Sequence, residues 1–214
     1  MRSLDELVSA KHSAMPTIRH WITETQCQCQ ILPPSDDRDR ALLAVQVPTS
    51  SPLGVIAYET GGILVDDGWL RFLGSGHPLL PRNLADWNDR GADGLCLVAD
   101  DVVGGFFAID TGAFGDQGDM YYWAPDSLAW EPIGFDFDLF LRWSLTAALS
   151  EFYQHVRWPN WKDDLVDTLP AADCFMFEPP LWSENGSVTT SKRRTIGVAD
   201  AYALKLAAQQ EGNT

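Results

Sequence analysis

Positive charge is what this chain has least of. Fifteen Lys and Arg stand against thirty Asp and Glu, for a formal net charge of −15. Between Arg90 and Arg142 there is no basic side chain, while ten acids occur there. Such a surface repels phosphate backbones, which argues against a nucleic-acid role. The one basic cluster, Lys192-Arg193-Arg194, lies among Ser and Thr and reads as a solvated loop. Long apolar runs are also missing, since none approaches the ~20 residues needed to cross a bilayer. The opening "MRSLDELVSA" lacks the apolar centre of a secretory signal. A soluble cytoplasmic protein is expected, with no membrane partner.

Cysteine is scarce, with four in the chain. The pair in "CQCQIL" is too close for a zinc-type CxxC, and the four histidines fall at no ligand spacing to it. Cys27, Cys29 and Ile31 alternate with Gln26, Gln28 and Gln30, so a strand would put both thiols on its buried side. No metal and no cofactor are expected.

What is present reads as one α+β domain over 1–214. Residues 1–50 hold N-terminal helices and a first strand: the capping box Ser3-Leu4-Asp5-Glu6, a helix from Pro16, the Cys/Gln strand, and a helix over 36–46. Residues 53–134 read as strands and tight turns around a short helix near Leu84 and Trp87. Phe137, Phe140, Leu141, Leu145, Leu149, Phe152 and Val156 follow three-four spacing, which predicts one long helix over 135–157. An irregular tail over 158–214 carries a short helix to about 169, the strand "DCFMFE", a loop over 179–197 and a C-terminal helix over 198–210. Grouped strands predict a mainly antiparallel, twisted sheet covered by helices on one face.

The densest stretch is "DDVVGGFFAIDTGAFGDQGDMYYWAPD", from Asp100 to Asp126. Its aspartates miss the register of a calcium loop, and no Glu stands between Glu59 and Glu131 to close one. "DTG", "FGDQGD" and "APDS" are instead ordinary turn compositions. "LGSGH" (73–77) lacks the Lys of a P-loop and the flanking glycines of a nucleophile elbow. Paired acids for glycoside chemistry would be Asp66/Asp67, Asp100/Asp101 or Asp126/Glu131, with Trp69, Trp123 and Trp130 stacking on sugar rings. Nine tryptophans read mostly as core; Trp158 and Trp161, in "VRWPNWKDD", are the two best placed for exposure.

The ordered phrases "SPLGVIAYETGGILVDDGWLRFLGSG", "ADDVVGGFFAIDTG", "YYWAPDSLAWEPIG", "FLRWSL", "FYQHVRWPNW" and "PPLWSENG" resemble the bacterial domain-of-unknown-function family twenty-six twenty-five over almost the whole chain. That resemblance implies no assigned activity. Residues 100–153 are similar to the SUKH superfamily of α+β proteins, which includes immunity proteins against secreted toxins. This second likeness implies protein binding and not catalysis.

The expectation is a non-catalytic binding protein, of immunity type by the second resemblance, whose acidic, aromatic surface meets a cationic protein partner. Its candidate binding residues are Asp100, Asp101, Asp116, Asp119, Asp126, Trp158 and Trp161. The alternative is a sugar-binding protein or hydrolase built on a carboxylate–tryptophan cleft.

Overall fold

The computed structural model describes residues 1–8, 12–89, 94–169 and 171–212. Seven strands form one sheet in chain order: β1 (Cys29–Leu32), β2 (Gly62–Val65), β3 (Leu70–Leu73), β4 (Leu95–Asp101), β5 (Phe106–Asp110), β6 (Asp119–Trp123) and β7 (Glu131–Asp136). Every neighbouring pair is antiparallel. The β2–β3 turn is made by Asp66, Asp67 and Gly68, all at positive φ, as the Asp-Gly signal predicts.

Helices α1 (Leu4–Leu7), α2 (Met15–Glu24), α3 (Arg38–Val45) and α4 (Pro52–Glu59) precede or interrupt the first strands. Helix α5 (Leu84–Asn88) leads into β4, with Asn83 capping it by accepting from Asp86 N at 2.8 Å. After the sheet come α6 (Phe137–Ser144), α7 (Ala148–Phe152), α8 (Trp161–Thr168), the hairpin β8 (Asp173–Glu178) and β9 (Lys192–Gly197), and α9 (Val198–Gly212).

Alternation along β5 sorts the two faces of the sheet, because successive side chains point to opposite sides. Phe107 stacks on Tyr122 at 4.3 Å and meets Phe140 of α6 at 4.7 Å. A continuous core on that side draws in Leu7, Ile18, Leu42, Ile56, Phe140 and Tyr153. Phe106 points the other way and meets Tyr202 of α9 at 4.9 Å. A smaller core there joins Leu95, Leu97, Ala108, Trp123, Met176 and Ala201. The α+β class and the antiparallel sheet are as expected, and α9 adds cover on the second face.

Three segments depart from the expectation. Residues 52–59 are helix α4 and not strand; Pro52 through Ala57 are all buried, so no one-sided period marks the helix. The expected long helix is two, α6 and α7, because the Thr146 hydroxyl donates to Trp143 O at 2.7 Å and accepts from Ala148 N at 3.3 Å. The loop over 179–197 ends in β9, whose Arg193 and Arg194 pair with Phe177 and Met176. Arg193 lies 4.4 Å over the Trp158 ring, and Arg194 lies 3.5 Å from Glu178. The basic triplet is thus part of a strand, with its two arginines occupied.

Candidate functional site

The aspartates of the opening stretch divide by burial. Asp100 is buried between two arginines, with Arg71 Nε donating at 2.6 Å and Arg82 Nη2 at 2.9 Å. Arg71 Nη1 continues to Asp173 O at 2.8 Å, and Arg82 Nη1 to Ala171 O at 3.2 Å. Burial pulls the Arg82 guanidinium down, while Asp100 pulls it back up. This network ties β3 and β4 to the strand β8.

Asp101, also buried, faces the larger core. Its carboxylate accepts from Tyr122 OH at 2.7 Å, Tyr153 OH at 3.0 Å, Val103 N at 3.0 Å and Gly105 N at 2.7 Å. Burial raises the Asp101 carboxyl, and those four donors oppose the rise. Burial and the Asp101 charge push both phenols well above their ordinary value, so they remain donors. A Cβ on Gly105 would fall against Asp101 Oδ2 and 2.5 Å from the Tyr122 hydroxyl. The Gly-Gly of "DDVVGGFFA" is therefore a seat for a buried carboxylate.

Asp100 and Asp101 must accordingly be withdrawn from the expected exposed acidic face, because both are sealed and fully partnered. The others do not form one face either. Asp116, exposed beside the β5–β6 turn, accepts from Tyr121 OH at 3.0 Å. Asp119, half-buried, opens β6. Asp126 is exposed beyond the far end of β6, a strand length of roughly 13 Å away at ~3.3 Å per residue. Trp158 is buried, its indole N–H donating to Asp164 at 2.6 Å. Trp161 is half-buried, with Arg157 4.3 Å from its ring centre. It lines a polar cleft of about 880 Å³ together with Gln26, Cys27, Gln28, Asp66, Arg157 and Lys162. Asp66 pairs there with Arg157, and Asp67 with Lys162, so neither acid is free for sugar chemistry. Trp69 and Trp123 are fully buried and out of reach of a ligand.

A larger and more apolar groove of about 1010 Å³ lies on the second face of the sheet. Its floor is Leu95 and Leu97 of β4; its aromatic walls are Trp87 of α5, Trp130 before β7, Tyr202 of α9 and Phe114 of the β5–β6 turn. Trp130 stands 5.4 Å from Trp123, and Tyr202 meets Trp87 edge-on at 5.8 Å. Asp86 and Asp89 sit on its rim, each paired with Arg40. The Arg40 guanidinium, helped by Asn83, holds the Asp86 carboxyl below its ordinary range despite some burial. Acid catalysis on a sugar needs the opposite, a carboxyl raised so that it carries a proton. The chemistry available here is apolar and aromatic contact, with Asp86 and Asp89 sharing the Arg40 guanidinium and Arg82 also on the lining.

Sequence reasoning missed this groove because its walls come from four separated segments. No group of three or more potential metal-binding side chains occurs among the described residues. Among them, too, no helix is long and apolar enough to cross a membrane.

No solved structure matches the chain. The uncharacterised protein YbfG of Escherichia coli (strain K12) is 40% identical over 211 residues, covering 96% of both chains. An uncharacterised protein of Haemophilus influenzae (strain ATCC 51907 / DSM 11121 / KW20 / Rd) is 42% identical over 190 residues, covering 85% of this chain and 83% of its own. The family described as "Protein of unknown function DUF2625" matches residues 4–201. With nearly the full length matched in both ways, the chain belongs to the DUF2625 family.

Proposed function

We propose that the protein is a non-catalytic binding module that holds a basic, apolar segment of a partner protein in the groove between α5, β4 and α9. The observation that carries this reading is the groove itself: aromatic walls at Trp87, Trp130, Phe114 and Tyr202, with the carboxylates of Asp86 and Asp89 at its edge. Aromatic faces and nearby carboxylates suit Lys and Arg side chains on an apolar stem. The net charge of −15 supports it further, since such a field steers cationic partners at rates that fall with salt. A basic secreted toxin is one partner of this chemistry, the narrower form that a SUKH-like relationship of residues 100–153 would imply.

Calorimetry with a Leu- and Arg-rich peptide, its charge-reversed counterpart and a neutral oligosaccharide tests the reading. Binding of the basic peptide alone is expected, weakening tenfold or more in Trp130→Ala and several-fold in Asp89→Asn. Equal binding of both peptides, or no effect of Trp130→Ala, would sink it. Selective binding of the oligosaccharide would favour a sugar-binding protein instead.

A further inference from the structure

Helix α9 is built inside out. Val198, Ala201 and Lys205 face the sheet and are buried, while Leu204 points outward at 45% exposure. Lys205 is 1% exposed, and it is the largest wholly buried side chain the helix contributes. It projects toward the end of β6, where Nζ donates to Trp123 O at 3.2 Å and to Ala124 O. The ammonium stands 4.7 Å over the Trp123 ring and 5.9 Å from that of Phe106. No carboxylate lies within ion-pair distance of it among the described residues. The apolar side chains that help hold the helix are small or half-buried: Val198, Ala201, Tyr202 and Leu206.

We propose that Lys205 is a proton-operated latch on α9, so that docking of this helix, and with it one wall of the groove, strengthens as pH rises from neutral. A cage of two carbonyls and two ring faces satisfies the ammonium's geometry but supplies no full negative charge. The ionisable groups whose charge reaches it are Asp101 at the end of β4, which itself points to the opposite face of the sheet, Asp126 in the β6–β7 turn and Cys174 of β8. Burial pushes the Lys205 ammonium down to about 7, against the attraction of Asp101 and Asp126. In the undocked helix the amine returns to its ordinary value near ~10.4. Between those limits undocking takes up a proton, so raising the pH favours the docked state. Below about 7 both states are charged and the dependence ends.

The test uses the full chain in two measurements, neither of which involves a groove partner, so this inference can fail while the binding proposal stands, and the reverse. Hydrogen exchange of residues 198–212, corrected for intrinsic rates, should show protection rising by up to about tenfold per pH unit above 7 and levelling below it. Lys205→Met keeps the stem and removes the proton, and should give high protection with no such slope. NMR of the Lys205 side chain in the unaltered protein should place its titration near 7, and Asp126→Asn should move it lower. A lysine that stays charged through pH 10 in the folded chain overturns the proposal, as does an unchanged slope in Lys205→Met. If that variant does not fold, the side-chain titration of the unaltered protein decides alone.

Discussion

Gly105 shows how one residue type can be dictated by the charge beside it. Its missing Cβ leaves room for the Asp101 carboxylate and the Tyr122 hydroxyl. Gly105→Ala is expected to cost about 2–4 kcal/mol in chemical denaturation, because neither neighbour can retreat without losing a buried hydrogen bond. Tyr153→Phe, which removes one of four donors without crowding, should cost only about 1–2 kcal/mol. The thiols give a second residue-scale prediction. Burial pushes Cys29 and Cys96 up to about 11 and Cys174 up to about 12. A thiol-specific dye at neutral pH should therefore label the half-buried Cys29 and Cys96 slowly and the buried Cys174 only on unfolding. The alternation of Cys and Gln made half of this legible. It could not show that the strand starts only at Cys29, leaving Cys27 in the segment before it.

Elements were readable wherever one face is wet and the other dry. The capping box at Ser3, the short helix around Leu84 and Trp87 and the strand "DCFMFE" fall close to where spacing puts them. Helix α4 failed because it is dry all round, and a continuous apolar run of that length looks the same in a strand. Its signal was the pair Ser51-Pro52, a cap followed by a first-turn proline. Ser51 Oγ accepts from Gly54 N at 3.3 Å, so Ser51→Ala should lower stability by about 1 kcal/mol, read as a shift of the urea midpoint. The break between α6 and α7 was hidden for a different reason. Leu145 and Leu149 both remain buried across it, so the apolar spacing survives while the hydrogen-bond ladder does not. The groove was illegible for a third reason: Trp87, Trp130 and Tyr202 share no local pattern, and only the packing of α9 against the sheet brings them together.

At the scale of the molecule, the buried trio Arg71, Asp100 and Arg82 joins parts that the chain visits far apart. Its guanidiniums reach Asp173 from β3 and Ala171 from the segment before α5. Asp100→Asn keeps the shape but leaves two facing cations without their counter-charge. It should cost about 3–5 kcal/mol and lower the thermal midpoint, as seen by calorimetry. The sequence exposed those acids as a run of negative charge, and read them as surface because the two arginines that neutralise Asp100 lie 29 and 18 residues earlier.

Among the described residues, the meander order leaves β1 and β7 with one unpaired side each. An open ladder of backbone N–H and C=O groups is a template on which a second copy could add a strand. Here β1 has four residues and runs into Pro33-Pro34, which have no N–H to offer. Strand β7 carries Pro132 within it, Gly134 at positive φ, and acids at both ends, Glu131 and Asp136. Both borders are thus poor seeds for fibrils, and a family member that lost Pro132 and those two acids would be the first to precipitate.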